Sequence, residues 1–158
     1  HDNIIGLKER REINGNDIYR VTSLWITDSR GNILLAQRAY TKNTSPGKWG
    51  PAVAGTVEEG ETYESNIIKE VAEEIGLDVS IKDLTKGDKN LVKNPDGHNY
   101  FRQRYYYEID KPANEFTLQH SEVEKVAWFN FDELSKKVLE HPDVFLHSIQ
   151  QWEKNKSK

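Results

Sequence analysis

Between residues 62 and 75 the chain carries the pattern that most restricts its fold. Ile67, Ile68, Val71, Ala72 and Ile75 recur at 3.6-type spacing, which predicts one helix with a single apolar stripe. Thr62 suits the N-cap, Glu64 the first turn, and Gly76 the C′ position at which a left-handed residue ends a helix. The same helix holds Glu70, Glu73 and Glu74 at i, i+3 and i+4. At about 100° per residue these carboxylates fall in one arc beside the stripe, together with Tyr63 and Asn66. Each like-charge pair on a helix costs roughly 0.2–0.5 kcal/mol, so the face needs a reason.

One reading is a solvated acidic surface. Three observations count against it. The carboxylates adjoin the packing stripe, and a Gly-containing loop with further glutamates leads into them. Neither Lys69 nor the neighbourhood of Asp78 offers a well-placed partner at i±4. A hard divalent cation would relieve the repulsion, because Mg²⁺ is commonly held by two acidic ligands together with substrate phosphates.

The rest of the chain supplies strands. Residues 18–28 and 33–39 read as a hairpin around a 28–32 turn, with β-branched and aromatic residues in partial alternation. Residues 3–13 are expected to form a hairpin or strand pair, followed by a turn at 14–17. A polar loop then leads to the short apolar stretch 51–55. A short strand is expected at 78–81, a strong turn at 94–98, a long strand at 99–109 and another at 124–130. On the long strand Tyr100, Arg102, Arg104 and Tyr106 would share one face, and Phe101, Gln103, Tyr105 and Tyr107 the other. Residues 131–140 and 143–154 read as two helices broken at His141-Pro142. Strands in runs with few helices predict an α+β fold, a mixed sheet flanked by helices. With no repeat and no linker, residues 1–158 are expected to form one domain, residues 1–17 being an N-terminal hairpin extension.

Composition removes several function classes. The 158 residues include no cysteine, which excludes disulfides, thiolate zinc sites and a cysteine nucleophile. A net charge of -4 speaks against a general nucleic-acid binder but leaves room for a phosphate-bearing substrate beside a few local cations. No apolar run approaches a membrane span and nothing reads as a signal peptide, so a cytoplasmic protein is expected. The chain opens on His1 and has no methionine, so loss of the initiator is also expected.

Gly55, Glu61, Lys69, Glu70, Val71, Glu73, Glu74, Gly76 and Leu77 follow a defined spacing. It is Gly, five residues, Glu, seven residues, then Arg-Glu-apolar-any-Glu-Glu-any-Gly-apolar, and eight of the nine positions agree. Residues 55–77 therefore resemble the Nudix box. Lys69 is the departure: in the family an arginine there pairs with the first glutamate, here Glu61. Lysine keeps the charge without the planar fork, so a looser brace is expected. A second departure is "PAVAG", where many members read Pro-Gly-Gly before the box.

The resemblance implies an α/β/α Nudix sandwich that hydrolyses a diphosphate linkage, in a nucleoside diphosphate derivative or a related small molecule, with Mg²⁺ or Mn²⁺. Carried over by position, Glu70, Glu73 and Glu74 would hold the metal, the Gly55 carbonyl adding a ligand. Glu70 is one candidate base. Glu122, six residues before Trp128, fits a later-loop glutamate that family members often use, and Glu124 is its reserve.

"LLAQRAYTK" (34–42) resembles a stretch of the type I isopentenyl-diphosphate isomerases, which share this fold, and puts Arg38 and Lys42 at diphosphate-contacting positions. Isomerase activity is disfavoured, since that enzyme uses a cysteine and a histidine-rich metal site. This chain has no cysteine and no histidine between residues 2 and 97. A non-catalytic nucleotide-binding module is a further alternative, although every acidic position of the box stands. Trp49 or a ring among Tyr100–Tyr107 is a candidate for base stacking, core packing being the commoner use. An N-terminal hairpin would offer an edge to a second copy, giving a possible homodimer.

Overall fold

The computed structural model describes residues 1–94 and 97–155. Its seven strands are β1 (Ile18–Thr27), β2 (Ile33–Arg38), β3 (Trp49–Pro51), β4 (Val53–Thr56), β5 (Thr85–Val92), β6 (Asn99–Glu108) and β7 (Val123–Phe129), all in one mixed sheet. The turn between β1 and β2 is fixed by Asp28, whose Oδ1 accepts from the Arg30 and Asn32 backbone N–H groups at 3.0 and 2.8 Å. The hairpin then opens. Only Ile26–Leu34 and Thr27–Ile33 pair directly, and β3 and β4 enter the gap, β3 antiparallel to β2 and β4 antiparallel to β1. On its other edge β1 runs parallel to β6, from Ile18–Asn99 to Thr27–Glu108, and β5 closes that side antiparallel to β6. β7 lies antiparallel on the free edge of β2.

Alternation along β1 and β2 decides the layers. Leu24, Ile26, Leu34 and Ala36 face one side, where Ile67, Val71 and Ile75 of α1 (Tyr63–Ile75) pack onto them. Trp25, Ile33 and Leu35 face the other, under Leu134 and Val138 of α2 (Phe131–Glu140) and Ile149 of α3 (His147–Asn155). Both faces are covered, giving the expected mixed sheet between helices. The caps of α1 also follow the sequence. Thr62 and Ser65 cap each other reciprocally, and Gly76 ends the helix at φ 66°.

Four expectations need correction. Residues 3–13 contain no strand, only a 3₁₀ turn at Arg10–Glu12. Ile4, Ile5 and Leu7 are 67%, 101% and 66% exposed, so the segment has no apolar surface to cover and is tied down by charges instead. The edge on which a pairing with a second copy rested is therefore absent from this segment. Residues 78–81 do not form a strand but lead into a 3₁₀ turn at Ile81–Asp83, with Ser80 and Asp83 capping each other. β5 has no counterpart in the sequence reading: it is a charged edge strand in which Val92 is the one buried residue. The last helix begins at His147, after a separate 3₁₀ turn at Pro142–Val144.

Pro95 and Asp96 of the expected 94–98 turn, and Lys156–Lys158 of the basic tail, lie outside the described residues. No helix among the described residues is long and apolar enough to cross a membrane.

Candidate active site

A cavity of about 470 Å³ opens where the β3–β4 wedge meets α1. Arg38 and Lys42 reach it from the end of β2 and the loop beyond, Gly55 from β4, Glu70, Glu73 and Glu74 from α1, and Glu122 from the loop before β7. The fold thus brings together all seven candidate residues. Glu124 is exposed on β7 and does not line the cavity.

Gly55 is required by close approach. A Cβ there would stand 2.3 Å from Glu70 Cγ and 2.5 Å from Glu70 Oε1, so the Glu70 side chain lies directly over the glycine. Above this contact sits Asn66, fully buried on the inner face of α1. Its Oδ1 accepts from Thr22 Oγ1 at 2.5 Å, and its Nδ2 faces Glu61 Oε2 at 2.8 Å, the Thr56 carbonyl at 3.0 Å and Glu70 Oε1 at 3.3 Å. Asn66 was placed in the acidic arc from sequence but not recognised as a positioning residue. The available signal was a polar side chain flush with the apolar stripe, four residues before Glu70.

Lys69 supplies the brace that the sequence reading left loose. Its Nζ stands 2.6 Å from Glu61 Oε1, 3.3 Å from Glu58 Oε2 and 3.7 Å from Glu70 Oε1. The second Glu61 oxygen, which an arginine fork would share, is taken by the Glu58 N–H at 2.9 Å and by Asn66. Burial pushes the Glu61 carboxyl up, but these hydrogen bonds outweigh it and hold the group below its usual range. The Glu61 contact in turn holds Lys69 above its own.

The carboxylates nearer the cavity behave in the opposite way. Burial, then repulsion from Glu70, pushes Glu74 up to about 8, with Glu122 adding to the effect; the Ala54 N–H and Arg38 oppose it. Glu70, whose side chain is 16% exposed, is also raised by burial, which Lys69 only partly offsets. Glu73 is exposed. Glu122 is carried on a loop that also ends α1, where the Gln119 N–H donates to the Glu74 carbonyl at 3.1 Å and the Gln119 carbonyl accepts from Glu122 N–H at 2.8 Å. Its carboxylate pairs with Lys42 Nζ at 2.5 Å. Arg38 donates from Nε to the Thr44 carbonyl at 3.0 Å. Burial holds its guanidinium down, against the pull of Glu122 and Glu74.

Among the described residues, no three acidic or histidine side chains are gathered closely enough to hold a metal ion by themselves. The donor chemistry nevertheless fits a hard divalent cation. Glu70 and Glu74 are carboxylates whose charge is held back by burial and by neighbouring carboxylates, Glu73 acting on Glu70 and Glu70 on Glu74, and such a cation takes part of its shell from water or substrate phosphates.

The aromatic candidates lie elsewhere. Trp49 packs edge-to-face on Phe129 with centroids 5.2 Å apart, Tyr105 is a core residue, and Tyr100 packs on Tyr19 with the rings tilted by 45°. None of them lines the cavity. Arg10, which the sequence reading did not single out, does.

A family model described as the NUDIX domain matches residues 18–148. A Photorhabdus laumondii protein named isopentenyl-diphosphate Delta-isomerase 2 is 28% identical over 147 residues, covering 92% of this chain and 81% of that one. A Methanosarcina mazei protein named prenyl-diphosphate phosphatase is 29% identical over 151 residues, covering 95% and 86%. Among solved structures, DR0079 from Deinococcus radiodurans has the same fold, with a TM-score of 0.76 at 18% identity over 97% of this chain and 92% of that one. The matched span includes the box, α1, α2 and every cavity-lining residue except Arg10, and the chain belongs to the Nudix family of hydrolases.

Proposed function

We propose that this cavity hydrolyses a diphosphate linkage in a nucleoside diphosphate derivative or a related organic diphosphate, using Mg²⁺ or Mn²⁺. The observation that carries the reading is the pairing of opposites in one cavity. Glu70 and Glu74 crowd together with raised proton affinity, while Arg38 faces the same space. Glu70, Glu73, Glu74 and the Gly55 carbonyl are the groups that would hold the metal. When bound, such a cation supplies charge neutralisation at the diphosphate oxygens and a more acidic water.

The chain's own residues do the rest. Arg38 offers a guanidinium to phosphate oxygens, in the geometry that suits such groups. Glu70 is a candidate for taking the proton from the attacking water, because a raised carboxyl is the better base near neutral pH. Glu122 is the second candidate, and its partner Lys42 holds it at the cavity wall and is the second cation offered to phosphate. Asn66 and Lys69 are positioning residues: they anchor Glu61, and the Asn66 amide tethers Glu70 more loosely beside β4. Two relatives are named for reactions of isopentenyl or prenyl diphosphates, so such compounds belong among the substrates to test.

The decisive experiment is a Mg²⁺-dependent screen of nucleoside triphosphates, nucleotide sugars, dinucleotides and prenyl diphosphates, with products identified. Glu73→Gln and Glu74→Gln are each expected to abolish turnover while the circular dichroism stays native. Undiminished turnover in both variants would overturn the assigned site. Allylic product from isopentenyl diphosphate would instead favour an isomerase, against which stands the absence of cysteine. Tight nucleotide binding with no cleavage would favour a non-catalytic module.

A further inference from the structure

The hydrolytic reading makes no use of the segment before β1, yet that segment reaches the cavity. It is fastened at two points, and both are ionic. Asp2 Oδ1 accepts from Arg20 Nε at 2.7 Å, Oδ2 accepts from Lys89 Nζ and Tyr63 Oη at 2.8 Å each, and the Asp2 carbonyl accepts from Arg20 Nη2 at 2.9 Å. Farther along, Lys8 pairs with Asp17 at 2.7 Å, and the same Asp17 oxygen accepts from the Asn14 N–H at 2.8 Å. The stretch between these clasps is not held by apolar burial, since Ile4, Ile5 and Leu7 all face solvent. Directly after the second clasp comes the Arg10–Glu12 turn, which delivers Arg10 to the cavity.

Four basic residues line that cavity: Arg10, Arg38, Lys42 and Lys69. Lys42 is paired with Glu122, and Lys69 with Glu61 and Glu58. Arg10 and Arg38 form no ion pair with a carboxylate among the described residues. Their like charges also act on one another, Arg10 disfavouring the charge of Arg38. Glu122 and Glu74 attract Arg38 without forming an ion pair with it, which gives no reason to strap a second, repelling guanidinium toward it. A doubly charged anion between them gives one, because guanidinium forks match phosphate oxygens and the repulsion turns into shared attraction.

We infer that Arg10 and Arg38 clamp the terminal phosphate of a diphosphate monoester, so that the N-terminal strap sets specificity for diphosphates with one free end. A terminal phosphate carries close to two negative charges at neutral pH. A diphosphate substituted at both ends, as in a dinucleotide or nucleotide sugar, carries one charge on each phosphate and has no terminus to enter the clamp. The inference rests on the diphosphate reading of the cavity for its substrate class. Its test is chosen so that the two can fail separately.

The probe is the methylene-bisphosphonate analogue of an alkyl diphosphate, which cannot be cleaved at the bridge. It is titrated calorimetrically into the full chain with Mg²⁺ present, beside a dinucleoside diphosphate. Arg10→Ala is expected to weaken the bisphosphonate about tenfold or more and to leave the dinucleotide within about twofold. Asp2→Ala, which opens the first clasp, should weaken the same probe less. Arg11→Ala, a change at an exposed neighbour outside the cavity, should leave it unchanged. In turnover, Arg10→Ala should raise KM for a monoester substrate with kcat within about twofold. Equal losses for both probes, no loss for either, or failure of the wild type to bind the bisphosphonate would overturn the clamp. Arg10-dependent binding without any hydrolysis would retain the clamp and sink the hydrolase reading instead.

Discussion

Two helices pack on opposite faces of the same sheet and obey opposite rules. α2 begins with an Asn130 cap that accepts from the Asp132 N–H at 3.0 Å. It places Asp132 and Glu133 in its first turn and Lys137 in its last. Each charge sits where the helix dipole favours it. α1 has equally good caps and an equally clear stripe, yet it has no basic residue in its last turn and collects Glu70, Glu73 and Glu74 in its C-terminal half. Burial of Ile67, Val71 and Ile75 holds α1 in place against that electrostatic penalty. A helix whose charges oppose its own dipole, while its packing remains sound, is where local stability has yielded to chemistry.

The sharpest way to break the contrast is at the contact on which α1 depends. Gly55→Ala would put a methyl group where Glu70 now lies, and a displacement of that size is expected to lower turnover on the order of 100-fold. Kinetics with the best substrate from the screen would measure it, and near-normal turnover would mean that Glu70 need not sit over β4.

Stability against pH gives the next effect. Glu74 has an ordinary value of 4.5 and is raised to about 8 in the folded chain, so the folded state keeps a proton that the unfolded state releases. Metal-free protein should therefore lose stability as pH rises from about 4.5 toward about 8, with a slope of ~1.4 kcal/mol per pH unit at most. Glu74→Gln should flatten that slope in urea titrations. α2 is tested by reversing a charge at its end. Lys137→Glu would place a negative charge at its C-terminal end and is expected to lower stability by about 0.5 kcal/mol. The smallest effect is Lys69→Arg, which restores the family residue while Glu61 is already fully engaged. Its unfolding midpoint should move by less than ~0.5 kcal/mol equivalent.

What was legible in the sequence follows from how local its cause is. α1 could be read to within a residue because stripe, cap and C′ glycine all lie inside it. The cavity's acidic wall came with it, since Glu70, Glu73 and Glu74 ride on that one helix. β5 was hidden because its residues are charged and it exists by pairing with β6, a partner some ten residues away that no period in its own sequence announces. The reading of 3–13 failed for the complementary reason: apolar residues before a turn suggested a strand pair, but Ile4, Ile5 and Leu7 bury nothing and no strand forms. Arg10 escaped notice because its place depends on clasps to Arg20, Lys89 and Tyr63, residues from three other elements.

Asn66 leaves one consequence in simple counting. Its amide has two hydrogens and faces three oxygens, and its orientation is locked because Thr22 occupies Oδ1. One acceptor must always share. The longest of the three contacts is the one to Glu70, so Glu70 is the carboxylate held by the weakest tether, while Glu61 is anchored from three sides. The same amide thus makes one glutamate a fixture and leaves the other able to turn toward whatever enters the cavity.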